Sequence, residues 1–255
     1  MFIDTHAHLD FDVYEEDREK VIQRAIENQV LAIITIGTDV ASSRRAILLA
    51  EKYASIYAAV GIHPGDCAQS SPKDFSVIRD LARHPKVVAI GEIGLDYYRM
   101  HAEAEKQKEV FKKQIAIARD LNLPVIVHNR DSHNDILEIL TKEGELELSG
   151  VLHSFSGDEN FMQAVINLNF YLSFTGNLTY KNNASRPLIQ KVPMANLLLE
   201  TDSPFLPPVP FRGKRNEPAY LVHIARRIAE IKDIEVDILS KVTTENAKTL
   251  FKLDI

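Results

Sequence analysis

The chain has 255 residues, 45% of them hydrophobic, and its 36 acidic and 30 basic side chains give a net charge of −6. This acidic balance excludes a protein that coats nucleic acid through a broad basic face, but it permits an enzyme that holds one or two phosphates locally. The single cysteine, Cys67, excludes an intrachain disulfide and suits a reducing compartment. No stretch approaches the roughly 18 apolar residues that a membrane span needs. We therefore expect a cytoplasmic protein without a membrane anchor.

Short apolar runs rich in β-branched residues recur along the chain, and turn residues bound each of them. Most are continuously apolar rather than alternating, which is typical of a parallel sheet buried on both faces. The eight predicted strands are Phe2–Thr5, Val30–Ile36, Ile56–Val60, Val87–Ile90, Val125–Val127, Val151–Leu152, Tyr171–Phe174 and Leu197–Leu199.

Amphipathic segments with helical spacing lie between these runs. The predicted helices are Glu16–Asn28, Ala41–Tyr53, Pro72–Arg83, Glu103–Leu121, Asp135–Thr141, Glu159–Leu168, Ser185–Lys191, Pro218–Ile231 and Val236–Phe251. Alternation of strand and helix through eight strands predicts an α/β fold, a (β/α)8 TIM barrel, with residues 1–255 as one domain. A doubly wound open sheet is the competing fold, but its Gly-x-Gly-x-x-Gly motif does not follow the first strand.

Two histidines, His6 and His8, stand at the end of the first predicted strand. Side chains at positions i and i+2 of a strand point to the same side, so both imidazoles can bind one metal ion at about 2.0–2.1 Å. The motif alone is equally compatible with an edge strand that carries two solvent-facing histidines.

The carboxyl ends of the strands and the loops that follow them form the active-site face of a TIM barrel. Six metal-ligand side chains from five strands fall at this face. A single one of them is best explained as a histidine bonded to a backbone carbonyl, but six at one end of the barrel predict a metal site. They are His6, His8, Glu92, His128, His153 and Asp202.

Six ligands exceed the four that one tetrahedral zinc ion uses, and they suit two divalent ions that share a carboxylate. We expect His6, His8 and Asp202 to hold one ion, and His128 and His153 to hold the other. Glu92, central in strand order, is the predicted bridge. Mixed imidazole and carboxylate ligands favour Zn or Mn and suit Mg less well.

Several motifs together resemble the TatD family of metal-dependent deoxyribonucleases over nearly the whole chain. They are Thr5–Asp10, Gly61–Pro64, Gly91–Tyr97, Pro124–His128, His153–Gly157, Leu199–Pro204, Arg212–Pro218 and Asn246–Phe251. The resemblance implies a TIM barrel of the amidohydrolase type that hydrolyses phosphodiester bonds in DNA, an ester-bond hydrolase with 3′→5′ exonuclease activity. Single strands or frayed ends are the expected substrate. Some relatives are linked to D-aminoacyl-tRNA deacylation, so the natural substrate stays open.

The expected reaction is hydrolysis by a metal-activated water, with Asp202 as general base and Glu92 as the carboxylate that holds both ions. His63 stands near the site and either contacts the scissile phosphate or fixes its own turn. Three basic residues are candidate phosphate contacts, because guanidinium and ammonium groups bind phosphate. They are Arg130, Arg212 and Lys214, and Arg130 is favoured over the other two, for which ordinary solvation is the alternative.

Three aromatic residues in the predicted loops, Phe11, Tyr97 and Phe155, either stack on a base or pack the mouth of the barrel. A small-molecule amidohydrolase on the same scaffold is an alternative function, but many of these use a carbamylated lysine where this chain has Glu92. A non-catalytic metal or nucleic-acid binding module is a further alternative, which the size of the ligand set disfavours. The native ion, exo or endo cleavage, and a monomer or weak oligomer stay open.

Overall fold

The computed structural model describes residues 1–143, 148–183 and 185–255. Its eight strands are β1 Phe2–Ala7, β2 Val30–Ile36, β3 Ile56–Val60, β4 Val87–Asp96, β5 Val125–Arg130, β6 Gly150–Leu152, β7 Phe170–Phe174 and β8 Leu197–Leu199. All are parallel, and each pairs with the next along the chain in the order β1 to β8. The predicted (β/α)8 barrel is confirmed.

Helices connect these strands and follow the last one. They are α1 Arg18–Glu27, α2 Val40–Lys52, α3 Pro72–Leu81, α4 Ala104–Asp120, α5 His133–Glu143, α6 Glu159–Asn167, α7 Arg186–Lys191, α8 Leu221–Lys232 and α9 Val236–Phe251. Most boundaries lie within two residues of the predicted ones, because caps define them: Asp39 accepts the N–H of Ser42 at the start of α2. The helix predicted from Pro218 begins as a short 3₁₀ turn, and α8 starts at Leu221. No helix in the described part of the chain is long and apolar enough to cross a membrane.

The interior of the barrel holds one apolar cluster, separate from the larger cluster that lies between the sheet and the helices. In β2 its members are Ala32, Ile34 and Ile36, which alternate along the strand because every second side chain points inward. Leu250 and Phe251 of α9 pack against this cluster. Burying each of these two side chains contributes roughly 1.5–3 kcal/mol, so α9 stabilises the barrel below the site.

Strands β4 and β5 extend well beyond the predicted runs. The β4–β5 register shifts between Ile90 and Ile93, so Glu92 lies in a bulge inside β4 rather than after the strand. Pairing then resumes and brings Asp96 opposite Arg130. Gly94 permits this pairing, because a Cβ at its φ of +139° would lie 2.0 Å from the carbonyl oxygen of His128.

The barrel closes between β1 and the segment after β8. The N–H of Asp202 donates to the carbonyl of His6 at 2.9 Å, and the N–H of His8 donates to the carbonyl of Ser203 at 2.8 Å. Below these bonds, the buried Asp4 carboxylate accepts the N–H and the hydroxyl of Thr201 at 2.9 and 2.6 Å. Closure of the fold therefore sets the position of Asp202 relative to the two histidines of the first strand.

Candidate metal centre

All six predicted ligands meet at the carboxyl end of the barrel. One is in β1, one directly follows it, one lies in the β4 bulge, one is in β5, and the last two follow β6 and β8. In that order they are His6, His8, Glu92, His128, His153 and Asp202. Their nitrogen and oxygen atoms form overlapping groups that could hold a metal ion. The fold thus brings residues nearly 200 positions apart into one cluster.

The Glu92 carboxylate lies at the centre of the cluster. Its Oε2 atom is 3.4 Å from His6 Nε2 and 3.8 Å from His8 Nε2. Its Oε1 atom is 2.6 Å from His128 Nδ1 and 2.8 Å from His153 Nε2. The two oxygens therefore face two different pairs of imidazoles, which is the arrangement that a bridging carboxylate requires.

Asp202 completes the group around Oε2. Its Oδ1 atom lies 3.7 Å from His6 Nε2 and 3.6 Å from His8 Nε2. We call His6, His8 and Asp202 the β1–β8 half of the cluster, and His128 and His153 the β5–β6 half. The two halves are in contact, because the rings of His6 and His153 stack with their centroids 4.1 Å apart.

The charge around Glu92 fits divalent cations. Burial alone would raise the pKa of Glu92, but the surrounding histidines hold it well below its usual value, so the buried carboxylate stays ionised. Within the described residues its ion-pair partners are all histidines, with no lysine or arginine among them. A buried anion among imidazoles has the donor types that Zn and Mn bind, so the residues present fit such ions.

Three of the ligand histidines have an oxygen behind the ring nitrogen that faces away from Glu92. His8 Nδ1 is 3.3 Å from the carbonyl of Ile36, which lies at the end of β2. His128 Nε2 lies 3.4 Å from Asp96, and His153 Nδ1 lies 3.5 Å from Glu200. The contact of His8 meets hydrogen-bond criteria, whereas His128 Nε2 and His153 Nδ1 make no hydrogen bond and have the carboxylates only as charged neighbours. Acceptors in these positions favour an imidazole whose other nitrogen is directed at the metal position.

The sequence reasoning assigned no role to Asp96 or Glu200. Glu200 is fully buried and accepts the N–H of Ser154 and the hydroxyl of Ser173, both at 2.6 Å. Asp96 accepts the N–H of Tyr98 at 3.0 Å, and it ends the extended part of β4. Both carboxylates stand in the same motifs as predicted ligands, so a search for acidic partners of the histidines would have identified them.

These carboxylates change the affinity of the histidines for positive charge. Burial would lower the pKa of His153, but Glu92 and Glu200 raise it well above its ordinary value. Burial likewise opposes protonation of His128, whose pKa Asp96 and Glu92 nevertheless raise. The pKa of His6 is instead lowered, first by burial and then by His153. Burial opposes protonation of His8 as well, but Asp202 and Glu92 raise its pKa. Each half therefore contains an imidazole whose protonated form the nearby carboxylates favour.

His63 also faces the cluster, with its Nε2 atom 3.6 Å from Glu92 Oε1. Its Nδ1 atom accepts the N–H of Gly65 at 2.9 Å, so the proton of the neutral ring is on Nε2. Burial lowers the pKa of His63 to about 4, which keeps the ring neutral near pH 7. The ring therefore bonds to its own turn, and its Nε2 faces the cluster; contact with a phosphate stays a prediction.

Arg130 lies at the end of β5, two residues beyond the predicted ligand His128. Its guanidinium packs over the ring of Tyr98, with 4.1 Å between Cζ and the ring centroid. The extension of β4 and β5 thus carries a cation to the rim of the candidate site.

Arg212 and Lys214 lie farther along the loop after β8. Arg212 packs over the ring of Tyr180 at 4.6 Å, and the Lys214 ammonium is 6.0 Å from the centroid of Phe211. Lys214 lines a cleft of about 510 Å³ beside α1 and the start of α8. Within the described residues, no ion pair or hydrogen bond joins either side chain to the metal-ligand cluster.

The three aromatic residues considered from sequence have different surroundings. Phe155 is only 5% exposed and packs against other phenylalanines, so it fills the barrel mouth and a stacking role for it is wrong. Tyr97 donates its hydroxyl to Asp135 at 2.6 Å. Phe11 stacks on the ring of the predicted ligand His8, with the centroids 4.7 Å apart.

A TIM barrel with imidazoles and carboxylates clustered at its carboxyl end defines a metal-dependent hydrolase. The family model described as TatD related DNase matches residues 3–252. The chain therefore belongs to the TatD related DNase family, which confirms the resemblance drawn from its motifs.

Individual relatives cover the whole chain. The metal-dependent hydrolase YabD of Bacillus subtilis (strain 168) is 45% identical over 256 residues and covers 100% of both chains. The 3′-5′ ssDNA/RNA exonuclease TatD of Salmonella typhimurium is 35% identical and covers 98% of both. The crystal structure of YjjV, a TatD homologue from Escherichia coli K12, matches with a TM-score of 0.93 at 33% identity, covering 99% of this chain and 98% of that one.

Proposed function

We propose that this protein is a phosphodiesterase, a deoxyribonuclease that removes nucleotides from the 3′ ends of single-stranded or frayed DNA. The observation that carries the proposal is the central Glu92, whose two oxygens face two separate pairs of imidazoles. Two-ion sites of this kind suit in-line displacement at phosphorus. Family membership and the Salmonella relative, which bears the name of a 3′-5′ exonuclease, support the choice of substrate.

Two divalent ions, Zn, Mn or Mg, are the proposed cofactors. The β1–β8 half would hold one ion, the β5–β6 half the other, and Glu92 would be shared between them. When bound, such ions neutralise charge on the phosphate oxygens and lower the pKa of a water molecule. The residues behind the ligands, Asp96 and Glu200, keep the imidazoles of the β5–β6 half in position.

Asp202 is the proposed general base. Burial would raise its pKa, but His8 and the charges of the nearby histidines lower it, which keeps the carboxylate ionised, the form that a general base requires. Its side chain is 13% exposed, against 4% for Glu92, so it is the more accessible of the two central carboxylates. Asp202 can therefore reach the attacking water at the open side of the cluster.

His63 and the basic residues are the proposed substrate contacts. The Nε2–H of His63 would donate to an oxygen of the scissile phosphate or to the leaving oxygen, since Nδ1 is already an acceptor. Arg130 would bind the neighbouring phosphate from the rim. Arg212 and Lys214 would contact the strand farther from the reacting bond, because their side chains lie along the outer part of the loop.

A cleavage assay tests this function. Single-stranded DNA labelled at its 5′ end is incubated with the protein and Mn²⁺ or Mg²⁺, beside the isosteric variants Glu92→Gln and Asp202→Asn. We expect stepwise shortening from the 3′ end that depends on metal and disappears in both variants. Intact DNA under all metal conditions, together with deacylation of a D-aminoacyl-tRNA or hydrolysis of a small amide, would contradict the proposal.

The expected cytoplasmic location is also retained as a proposal. Cys67 is buried, its thiol donates to the carbonyl of Pro64, and burial raises its pKa. Such an unreactive thiol suits a reducing compartment.

A further inference from the structure

Two phenylalanine or tyrosine rings in the described residues are exposed, and both follow strands that end at the candidate metal centre. Of its 11 phenylalanines and 8 tyrosines, all of them within the described residues, Tyr98 is 65% exposed and Phe205 is 50% exposed, and the other rings are buried or half-buried. Tyr98 follows β4 and Phe205 follows β8, so both leave the carboxyl end of the barrel. Packing of the barrel does not use the free faces of these rings.

Phe205 is fixed against the β1–β8 half. Its N–H donates to the carbonyl of Asp202 at 2.9 Å, which places it in the turn that immediately follows this ligand. Its ring packs edge-to-face against His8 and against Phe11, with both centroid distances 6.0 Å. The ring is held from one side while half of its surface remains free.

Tyr98 is fixed against the β5–β6 half. Its N–H donates to one oxygen of Asp96, and the other oxygen of that carboxylate lies 3.4 Å from the ligand His128. The guanidinium of Arg130 covers part of the ring at 4.1 Å. Tyr98 therefore combines an exposed aromatic surface with a cation packed against part of the ring.

Phe205 thus contacts His8 of the β1–β8 half, and Tyr98 is connected through Asp96 to His128 of the β5–β6 half. We propose that Phe205 and Tyr98 each stack an unpaired base that flanks the scissile phosphodiester, and that this pair selects single-stranded nucleic acid. Stacking on an aromatic ring tolerates any base, but it requires a base whose face is free, which a duplex does not offer. The inference rests on the proposed function and names the residues that recognise its substrate.

Binding tests the two rings directly. A single strand with phosphorothioate linkages, which resist hydrolysis, carries 2-aminopurine, a base whose fluorescence falls when it stacks. We expect quenching by the unsubstituted protein, and weaker quenching by Phe205→Leu and Tyr98→Leu, each with a roughly 5- to 140-fold loss of affinity. Tyr98→Phe retains the ring and should behave like the parent protein. Tyr53→Leu changes a half-buried ring at the opposite end of the barrel and serves as the matched control.

Cleavage of two strands separates this inference from the proposed function. One strand carries bases, and the other has the same backbone with abasic residues throughout. The two leucine variants should lower kcat/KM on the first strand and leave it unchanged on the second.

Three outcomes distinguish the stacking role of the two rings from the proposed function. If the unsubstituted protein cleaves neither strand, the proposed function fails, and the fluorescence result still decides whether the rings stack bases. Quenching that is the same in both leucine variants and in the parent protein overturns the inference. Equal losses on base-bearing and abasic strands also overturn it, because the rings would then only support the barrel.

Discussion

The two halves of the metal-ligand cluster are built differently, although they share one carboxylate. The β1–β8 half includes its own carboxylate, Asp202, and is positioned largely by main-chain bonds across the closure of the barrel. The β5–β6 half has only imidazoles, and two buried carboxylates, Asp96 and Glu200, stand behind them. The β1–β8 half therefore has a carboxylate among its predicted ligands, whereas the carboxylates of the β5–β6 half lie behind its predicted ligands.

This difference explains how a buried site with so many titratable groups is stable. A buried charge is costly unless it is paired. A cation in the β1–β8 half would be paired with Asp202, and a cation in the β5–β6 half would have Asp96 and Glu200 behind its imidazoles. Glu92 is common to both halves, whereas Asp96 and Glu200 each lie behind an imidazole of the β5–β6 half only. Substitutions that act on one half, on both, or on the surroundings should have effects of different size.

The largest effect is expected from Glu92→Gln. An amide oxygen without charge cannot hold two cations, so the ions of both halves should bind weakly. We expect kcat to fall by roughly 10²–10⁴-fold, since metal stabilisation of charge is worth several kcal/mol. Steady-state kinetics and metal analysis of the same preparation measure this, with circular dichroism as the folding control. A variant that retains two ions and most of its activity would show that Glu92 does not join the halves.

The second-largest effect should distinguish the metal affinities of the two halves of the cluster. Asp96→Asn and Glu200→Gln keep the size of each side chain but remove the charge behind His128 and His153. We expect one of the two ions to bind about 10–100-fold more weakly and the other to be unaffected. Calorimetric titration with Mn²⁺ resolves the two affinities. Asp135→Asn, which alters the acidic partner of Tyr97 instead, is the matched control. Equal weakening of both ions would remove the distinction between the halves.

A smaller effect concerns the basic residues at the rim of the site and in the loop after β8. Arg130→Gln should raise KM for short strands and reduce the dependence of binding on log salt concentration by about one, because one phosphate contact is lost. Arg212→Gln and Lys214→Gln should matter only for strands long enough to reach the outer loop. A series of strand lengths measures this difference. If all three variants weaken short strands equally, the rim position of Arg130 has no special role.

The smallest effect tests the attachment of the loop that follows Asp202. Arg215 forms a bidentate ion pair with Asp17, which ties this loop to α1. Because the pair is partly exposed, we expect Arg215→Gln to cost only about 0.2–1 kcal/mol of unfolding free energy.

The contribution of the Arg215–Asp17 ion pair to the free energy of unfolding should depend on pH. The bond from Arg215 lowers the pKa of Asp17 in the folded protein below its unfolded value of about 3.9. The ion pair therefore stabilises the fold fully above the unfolded pKa, and this stabilisation is lost as the pH falls through the pKa of Asp17 in the folded protein. Urea unfolding of both proteins at pH 7 and near pH 3 should show a smaller difference at the lower pH. A constant difference would indicate that Asp17 is not the partner that matters.

Much of the fold and the ligand set follows from the sequence, because buried parallel strands are continuously apolar and their ends mark the functional face. The strand at Val30–Ile36 has its predicted bounds, and all six predicted ligands meet where the alternation of strand and helix places them. The bulge at Glu92 could not be predicted, since it depends on how β4 pairs with β5. The rings that face solvent could not be predicted either. Phe155 and Phe205 are both loop phenylalanines in sequence, and only packing decides which one is buried.

We propose that Glu92 is shared by two ions, and electron paramagnetic resonance of the Mn²⁺-loaded protein detects such a pair. Two ions that share one carboxylate lie roughly 3.5–4 Å apart, close enough for their spins to couple. We expect the protein to take up two equivalents of Mn²⁺ and to give an exchange-coupled spectrum that Glu92→Gln abolishes. Saturation at one equivalent, or two equivalents with the spectrum of isolated ions, would contradict this account.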